Sequence, residues 1–352
     1  LILSLILSYI ISIGALLAKK PYRIVFFSIS SVLIVYLLGF RVGFGTDYWN
    51  YIPVIQYYHD NGSFAGGSWE PSFYFINWLS REFGFDPNFV VFAYFAITYF
   101  CLVKAFWSSS PYYALSFLIM VCVAPLYSSL NIMRQALAFS LVLVFLVLAP
   151  NQRLKFGSIV VLAVSYFVHA SVAILVLIPV FRRLPSRFSF WLFLIVVCFF
   201  GKLLTPLLIS IIIDIYSQSG LPYADYLINT RYLYTSRSDT GILQYINFAL
   251  VLWGAYKLPK MDENYIHSVI CKTYLVGLLL TFSFVDFQAF VRIFLNYTWL
   301  GFIALPIFLS YYKSFWLKVF SLYGLVAYCL ILGFVKFISL YENFGGGQHL
   351  HF

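Results

Sequence analysis

Apolar runs of roughly bilayer-crossing length, about 20 residues, recur along the whole chain. Short stretches in which Lys, Arg and Pro collect separate them. Leu1–Ala18, Ile24–Phe40, Asn88–Trp107, Tyr112–Leu130, Phe188–Ile213, His267–Asp286, Phe287–Ser310 and Val319–Leu340 are runs of this kind, and Ala136–Ala149 and Ile242–Tyr256 are shorter ones. The runs are continuous and do not alternate, which argues against a β-barrel. They predict an all-α, polytopic integral membrane bundle with about eleven spans, in a single transmembrane domain over residues 1–352. Only 10% of residues are charged, where a soluble domain carries about a quarter. Leu1–Ala18 has neither a basic start nor a small-residue cleavage pattern and reads as a span rather than a signal peptide.

Loop charge orients the spans. Lys19, Lys20 and Arg23, then Arg153 and Lys155, Arg182, Arg183 and Arg187, Lys257 and Lys260, and Lys313 and Lys318 mark the cytoplasmic side. This bias accounts for the formal net charge of +10 without a nucleic-acid partner. Two longer polar segments, 41–71 and 214–241, fall on the outer side. Ser72–Phe85, which carries Arg81 and Glu82, reads as a short or interfacial helix. Phe156–Phe181 lies between two basic clusters yet is too short for two full spans of ~20 residues. A short hairpin or re-entrant pair is therefore expected there, with His169 at its outer tip. The five cysteines all lie within apolar runs, lack CxxC spacing, and read as buried free thiols.

Within this topology Asn131-Ile132-Met133-Arg134-Gln135 interrupts two apolar runs with an arginine and two amides. A charge at that depth either snorkels to the headgroups or serves a wet cavity or partner. The cations assigned to the outer side are Arg41, Arg81, Arg134, Arg231, Arg237 and Arg292, with Lys336 as the exception. A guanidinium fork binds phosphate bidentately and stays charged, which points to an anion pocket on that side. Three possible bases share it. Asp47 follows Gly43-Phe44-Gly45-Thr46 and serves either chemistry or a helix N-cap. Glu70 precedes Pro71, where a carboxylate also suits a helix dipole. His169 is either a core histidine or a functional one.

Taken in order, Arg41-x-Gly43-x-Gly45-Thr46-Asp47-Tyr48-x-x-Tyr51, Trp69-Glu70-Pro71, Asn131-x-x-Arg134-Gln135-x-x-Ala138, His169-Ala170-Ser171 and a late Arg292 with Asn296 and Tyr297 resemble the EpsG-type family of bacterial polysaccharide polymerases, related in role to the Wzy O-antigen polymerases. The chain departs from the pattern at Val291, where similar proteins often carry an acidic residue.

The resemblance implies a glycosyltransferase at the outer, periplasmic or extracellular, face of the bacterial cytoplasmic membrane. It would join undecaprenyl-pyrophosphate-linked repeat units, with the bilayer and a chain-length regulator protein as further partners and no cofactor or metal. Arg134 and Arg292, with Arg41 or Arg237, would hold the pyrophosphate. His169 would be the base, with Glu70 or Asp47 as second choices, and Asn131, Gln135, Tyr48 and Arg231 would support them. Rival readings are an O-antigen-ligase-like transferase, a lipid-linked-oligosaccharide flippase (for which Lys202 and Lys272 speak) and an acyltransferase built on His169.

Overall fold

The computed structural model describes residues 14, 20–41, 46–64, 69–122, 126, 128–130, 132–148, 157–219 and 242–345. The helices are α1 (Lys20–Gly39), α2 (Thr46–Asn61), α3 (Pro71–Glu82), α4 (Asn88–Ser109), α5 (Tyr113–Cys122), α6 (Met133–Leu148) and α7 (Gly157–Val168). They continue with α8 (Ile178–Arg182), α9 (Phe188–Ser219), α10 (Ile242–Lys257), α11 (Tyr265–Ser283), α12 (Gln288–Thr298), α13 (Gly301–Ser310) and α14 (Phe315–Gly345). Short 3-10 segments occupy Ser128–Leu130, Ala170–Leu177 and Leu258–Lys260.

The chain is a helical membrane protein. Among the described residues, five runs are long and apolar enough to cross a bilayer: Asn88–Ser109, Phe188–Ile211, Tyr265–Ser283, Phe290–Ser310 and Phe315–Leu332. Four shorter apolar helical runs accompany them, at Ile24–Gly39, Tyr113–Cys122, Met133–Leu148 and Ala170–Arg182. The expected span Leu1–Ala18 lies outside the described residues. Tyr112–Leu130, expected to be one crossing, is instead the ten-residue helix α5 and a separate 3-10 turn. Pro125 stands between them in the sequence, and proline lacks an N–H donor and disfavours helical backbone ahead of it.

Side-chain exposure separates two kinds of span. Only 11% of the α9 span and 17% of the α14 span is buried within the protein, against 78% for α11. α9 presents Phe193, Phe199, Phe200, Leu203 and Leu207 outward. Apolar surface this continuous is stable only against lipid.

The chain divides into two compact units. The first comprises Leu1–Val144, Phe167–His169 and Tyr312–Phe352; the second comprises Phe145–Tyr166 and Ala170–Tyr311. In the first, α4 is the common neighbour of α1, α3, α5 and the Ser128–Leu130 turn, α2 packs on α3, and α14 packs on α5. The α2–α3 connection turns at Gly62, whose φ of 72° suits glycine. A Cβ there would lie 2.6 Å from the Arg81 guanidinium, whose Nε donates to the His59 carbonyl at 3.0 Å.

The second unit is built on α11, which packs against α8, α9, α10, α12 and α13. In the stretch where a hairpin or re-entrant pair is expected, α7 ends at Val168 and the chain resumes after His169 as the eight-residue 3-10 coil Ala170–Leu177. Such coils rarely exceed a few residues, because their hydrogen bonds are poorly aligned. Here α12 supports the coil from the side. Asn296 donates to the Ser171 carbonyl at 3.5 Å, and the Tyr297 hydroxyl donates to that of Ile174. Two residues that the sequence groups with Arg292 thus brace the backbone just beyond His169.

Gly277 lets α11 and α12 approach, as small residues do between membrane helices. A Cβ at this position would lie 2.5 Å from the Tyr297 Cβ and 2.9 Å from the Thr298 backbone nitrogen. Gly277→Ala should destabilise the protein by about 1–3 kcal/mol, read as a lower melting temperature in detergent. An unchanged melting temperature would refute this tight contact.

Candidate active site

Glu70 owes its position to the start of α3. Pro71 occupies the first turn, where its missing N–H costs nothing. Glu70 itself is extended (φ −65°, ψ 148°), and its side chain makes no capping hydrogen bond. Its carbonyl accepts from Phe73 N at 2.9 Å and Tyr74 N at 3.3 Å. Backbone thus serves the helix end, and the carboxylate is left for other partners.

That carboxylate is shared between two groups. Oε1 lies 2.7 Å from His169 Nδ1, and Oε2 forms an ion pair with Arg134 Nη1. Glu70, Arg134 and His169 all belong to the first compact unit. Their side chains are 13%, 17% and 26% exposed, so the triad is sheltered yet reachable. Partial burial pushes the Glu70 carboxyl upward. The hydrogen bond to His169 and the charges of Arg134 and His169 outweigh it, leaving the group below its ordinary value. A carboxylate acceptor on Nδ1 fixes the ring: Nδ1 carries a proton, and in the neutral ring Nε2 carries the lone pair.

Arg134 sits in the first turn of α6, the positive end of the helix dipole, where a cation is disfavoured. Glu70 supplies the counter-charge, and the Arg134 Nε donates to the Tyr51 hydroxyl at 3.1 Å. Three aromatic faces surround the guanidinium, with ring centroids at 4.9 Å (Trp69), 5.3 Å (Tyr51) and 5.5 Å (Phe73). Cation–π attraction strengthens where water is excluded. Trp69 stacks on Phe73 at 4.8 Å, and a 2.9 Å hydrogen bond between Ser72 and Tyr94 joins α3 to α4. The guanidinium plane is thereby set by α2, α3 and Glu70 together.

The other sequence candidates divide by location. Arg41 is 3% exposed; its guanidinium donates to the carbonyls of Leu38 at 3.1 Å and Leu130 at 2.8 Å, and it lies 5.8 Å from the Phe95 ring centroid. Burial lowers its pKa to about 10. These contacts tie the end of α1 to the turn preceding α6. Tyr48 is buried and donates to Asn88 Oδ1 at 2.6 Å, joining α2 to α4. Asp47 lies in the first turn of α2, but its side chain is outside the described set. Gln135 is buried in α6. Arg292 lies on α12, in the second unit. Asn131, Arg231 and Arg237 lie outside the described residues.

Tyr51, Trp69 and Phe73 were not singled out as site residues. The available signal was the spacing of Tyr48 and Tyr51, one helical turn apart, and the tryptophan directly before Glu70. Lys272 and Lys202, the intramembrane cations, have local partners: Asp262 Oδ1 lies 3.3 Å from Lys272 Nζ, and the Phe282 ring centroid 5.3 Å from Lys202 Nζ. Among the described residues no group of three or more His, Cys, Asp or Glu side chains is arranged to hold a metal ion.

The Glu70 contribution has a defined pH window. A carboxyl held low in the folded state adds stability fully above its ordinary value of 4.5, and this is lost as pH falls through the lower folded value. Glu70→Gln should therefore lower the neutral-pH melting temperature, by about 1–3 kcal/mol of stability. The two proteins should converge only in acid below the ordinary carboxylate range. Equal melting temperatures at neutral pH would rule out the bridging contact.

Comparison with known proteins gives one assignment. The model of the EpsG family matches residues 24–345, nearly the whole chain, and the chain belongs to that family. EpsG is a Wzy-like polymerase family, which gives the protein a polysaccharide-polymerase-like role. No curated protein and no solved structure matches the chain.

Proposed function

We propose that this EpsG-family membrane protein is a glycosyltransferase that lengthens a surface polysaccharide. The donor is a glycan on undecaprenyl pyrophosphate, the acceptor a hydroxyl of another lipid-linked repeat unit, and the site faces outward from the bacterial cytoplasmic membrane. The observation that carries this reading is the Glu70 carboxylate shared by His169 and Arg134. It supports the reading because one carboxylate holds an imidazole and a guanidinium side by side.

The reaction needs a proton acceptor and charge stabilisation for the leaving group. His169 Nε2 takes the proton of the acceptor hydroxyl as that oxygen attacks the sugar C1. The bond between C1 and the pyrophosphate oxygen breaks, and its electron pair leaves with the pyrophosphate, through an oxocarbenium-like transition state. Glu70 holds the His169 ring in the required tautomer and stabilises the imidazolium that forms. This makes Glu70 a positioning residue rather than a rival base. Arg134 meets the charge growing on the pyrophosphate. A guanidinium has more N–H donors than Glu70 and Tyr51 use, so the ion pair leaves donors for phosphate oxygens. By the family resemblance Arg292 and Arg237 are further phosphate-binding candidates, and Asp47 is a second acid–base candidate. Trp49 and Tyr57, exposed in segment 41–71, offer stacking faces for sugar rings.

Arg134→Lys keeps the charge but loses the fork, and transfer should fall about a hundredfold or more with expression unchanged. His169→Ala should cost a similar factor, about 10²–10⁴. Both are measured by gel analysis of surface glycan in a deletion strain carrying each variant. Single-repeat products in that strain support the polymerase reading. Uncapped, full-length glycan would replace it with a ligase, and accumulation of lipid-linked units on the cytoplasmic side with a flippase. Normal chain lengths from the lysine variant would remove Arg134 from the phosphate role.

A further inference from the structure

A second polar site lies within the second unit. A cavity of about 780 Å³ opens between the turn after α8 and the turn before α11. Arg182, Arg183 and Lys272 bring positive charge to it, and Asp262 and Glu263 negative charge. Asp262 is already engaged. It accepts from Ser186 at 2.6 Å, Ser268 at 3.1 Å and Lys272 at 3.3 Å, and it is held below its ordinary pKa because these bonds and the Lys272 charge outweigh its partial burial. Lys272 is 5% exposed, about two turns into α11, and reaches back to Asp262 and the Arg182 carbonyl, each at 3.3 Å. The Arg182 guanidinium lies 4.1 Å from the Tyr265 ring centroid, and both Arg182 and Arg183 are exposed. The cation surplus at the mouth therefore rests on these two arginines.

The depth of this cavity is set by its neighbours. The lipid-facing span α9 begins at Phe188 and the buried span α11 at Tyr265. The two helices pack together, and both bilayer-length apolar runs start beside the cavity. A basic pocket at the ends of two spans lies at headgroup level, where surface arginines meet lipid phosphates. Phe188 and Val180, exposed on either side, supply the apolar flank that acyl chains require.

We propose that this pocket binds the headgroup phosphate of an anionic phospholipid, with Arg182 and Arg183 as the phosphate ligands and the buried Lys272–Asp262 pair as the fixed floor. The site is separate from the Glu70 triad, and its occupancy does not depend on the glycosyltransfer reading. Full-length protein, purified in detergent and freed of lipid, is titrated with phosphatidylglycerol and with phosphatidylcholine of the same acyl chains, and retained lipid is counted by native mass spectrometry. The wild type should retain phosphatidylglycerol preferentially. Arg182→Gln/Arg183→Gln should weaken that retention about tenfold or more, whereas Lys104→Ala, an exposed cation on α4, should leave it unchanged. Glu263→Gln, which removes a carboxylate from the lining, should strengthen it, a gain that misfolding would not produce. Equal retention of both lipids, or retention unaffected by the double arginine variant, would overturn the site. Displacement by millimolar inorganic phosphate would assign the pocket to a free anion and equally overturn the lipid proposal.

Discussion

A single carboxylate at an apolar boundary carries the organisation of the candidate active site. Arg134 stands where both its surroundings and the α6 dipole oppose a positive charge. Glu70 offsets both with one oxygen and orients His169 with the other. Removing it would leave a cation at the wrong end of a helix and an imidazole with no fixed tautomer. The carboxylate is available because Pro71 starts α3 without needing a side-chain cap. A capping Asp or Ser at this position would satisfy the helix and break the triad.

The residues behind the triad tie its helices together. Arg41 holds the carbonyl of Leu130, in the turn from which α6 departs, so the position of Arg134 follows in part from α1. Tyr48 holds Asn88, fixing α2 against α4, and α2 carries Tyr51 to the guanidinium. The arginine in the Arg-x-Gly-x-Gly-Thr-Asp stretch thus works as a structural clamp in the described geometry. A buried guanidinium with two carbonyl acceptors is a costly way to join helix ends. It does fix their register in a medium where apolar contacts between helices and with lipid are nearly equivalent.

The membrane class was legible because repeated apolar runs admit few other folds, and Glu70, Arg134 and His169 were each visible as polar residues in the wrong company. Their mutual bonding was not visible. Glu70 is 64 residues from Arg134 and 99 from His169, and no local pattern reports a contact across that distance. The aromatic box was hidden for the opposite reason. With 22% of the chain aromatic, Trp69 and Phe73 did not stand out. Hydropathy also failed at Tyr112–Leu130, because a sum over a window registers apolar character and not that the helix ends at Cys122. Sequence shows the charge of Arg41 but not the carbonyls of Leu38 and Leu130 to which its guanidinium donates.

The 3-10 coil after His169 has a consequence of length. Each of its residues advances about 2.0 Å, against 1.5 Å in an α-helix. Ala170–Leu177 with α8 comprises eight and five residues and so reaches about 23 Å, where the same residues wound as an α-helix would reach about 20 Å. The segment thus extends further than its residue count would carry an ordinary helix. Asn296 and Tyr297 are the struts that keep it drawn out. The length of this coil is therefore held by side chains on a different helix.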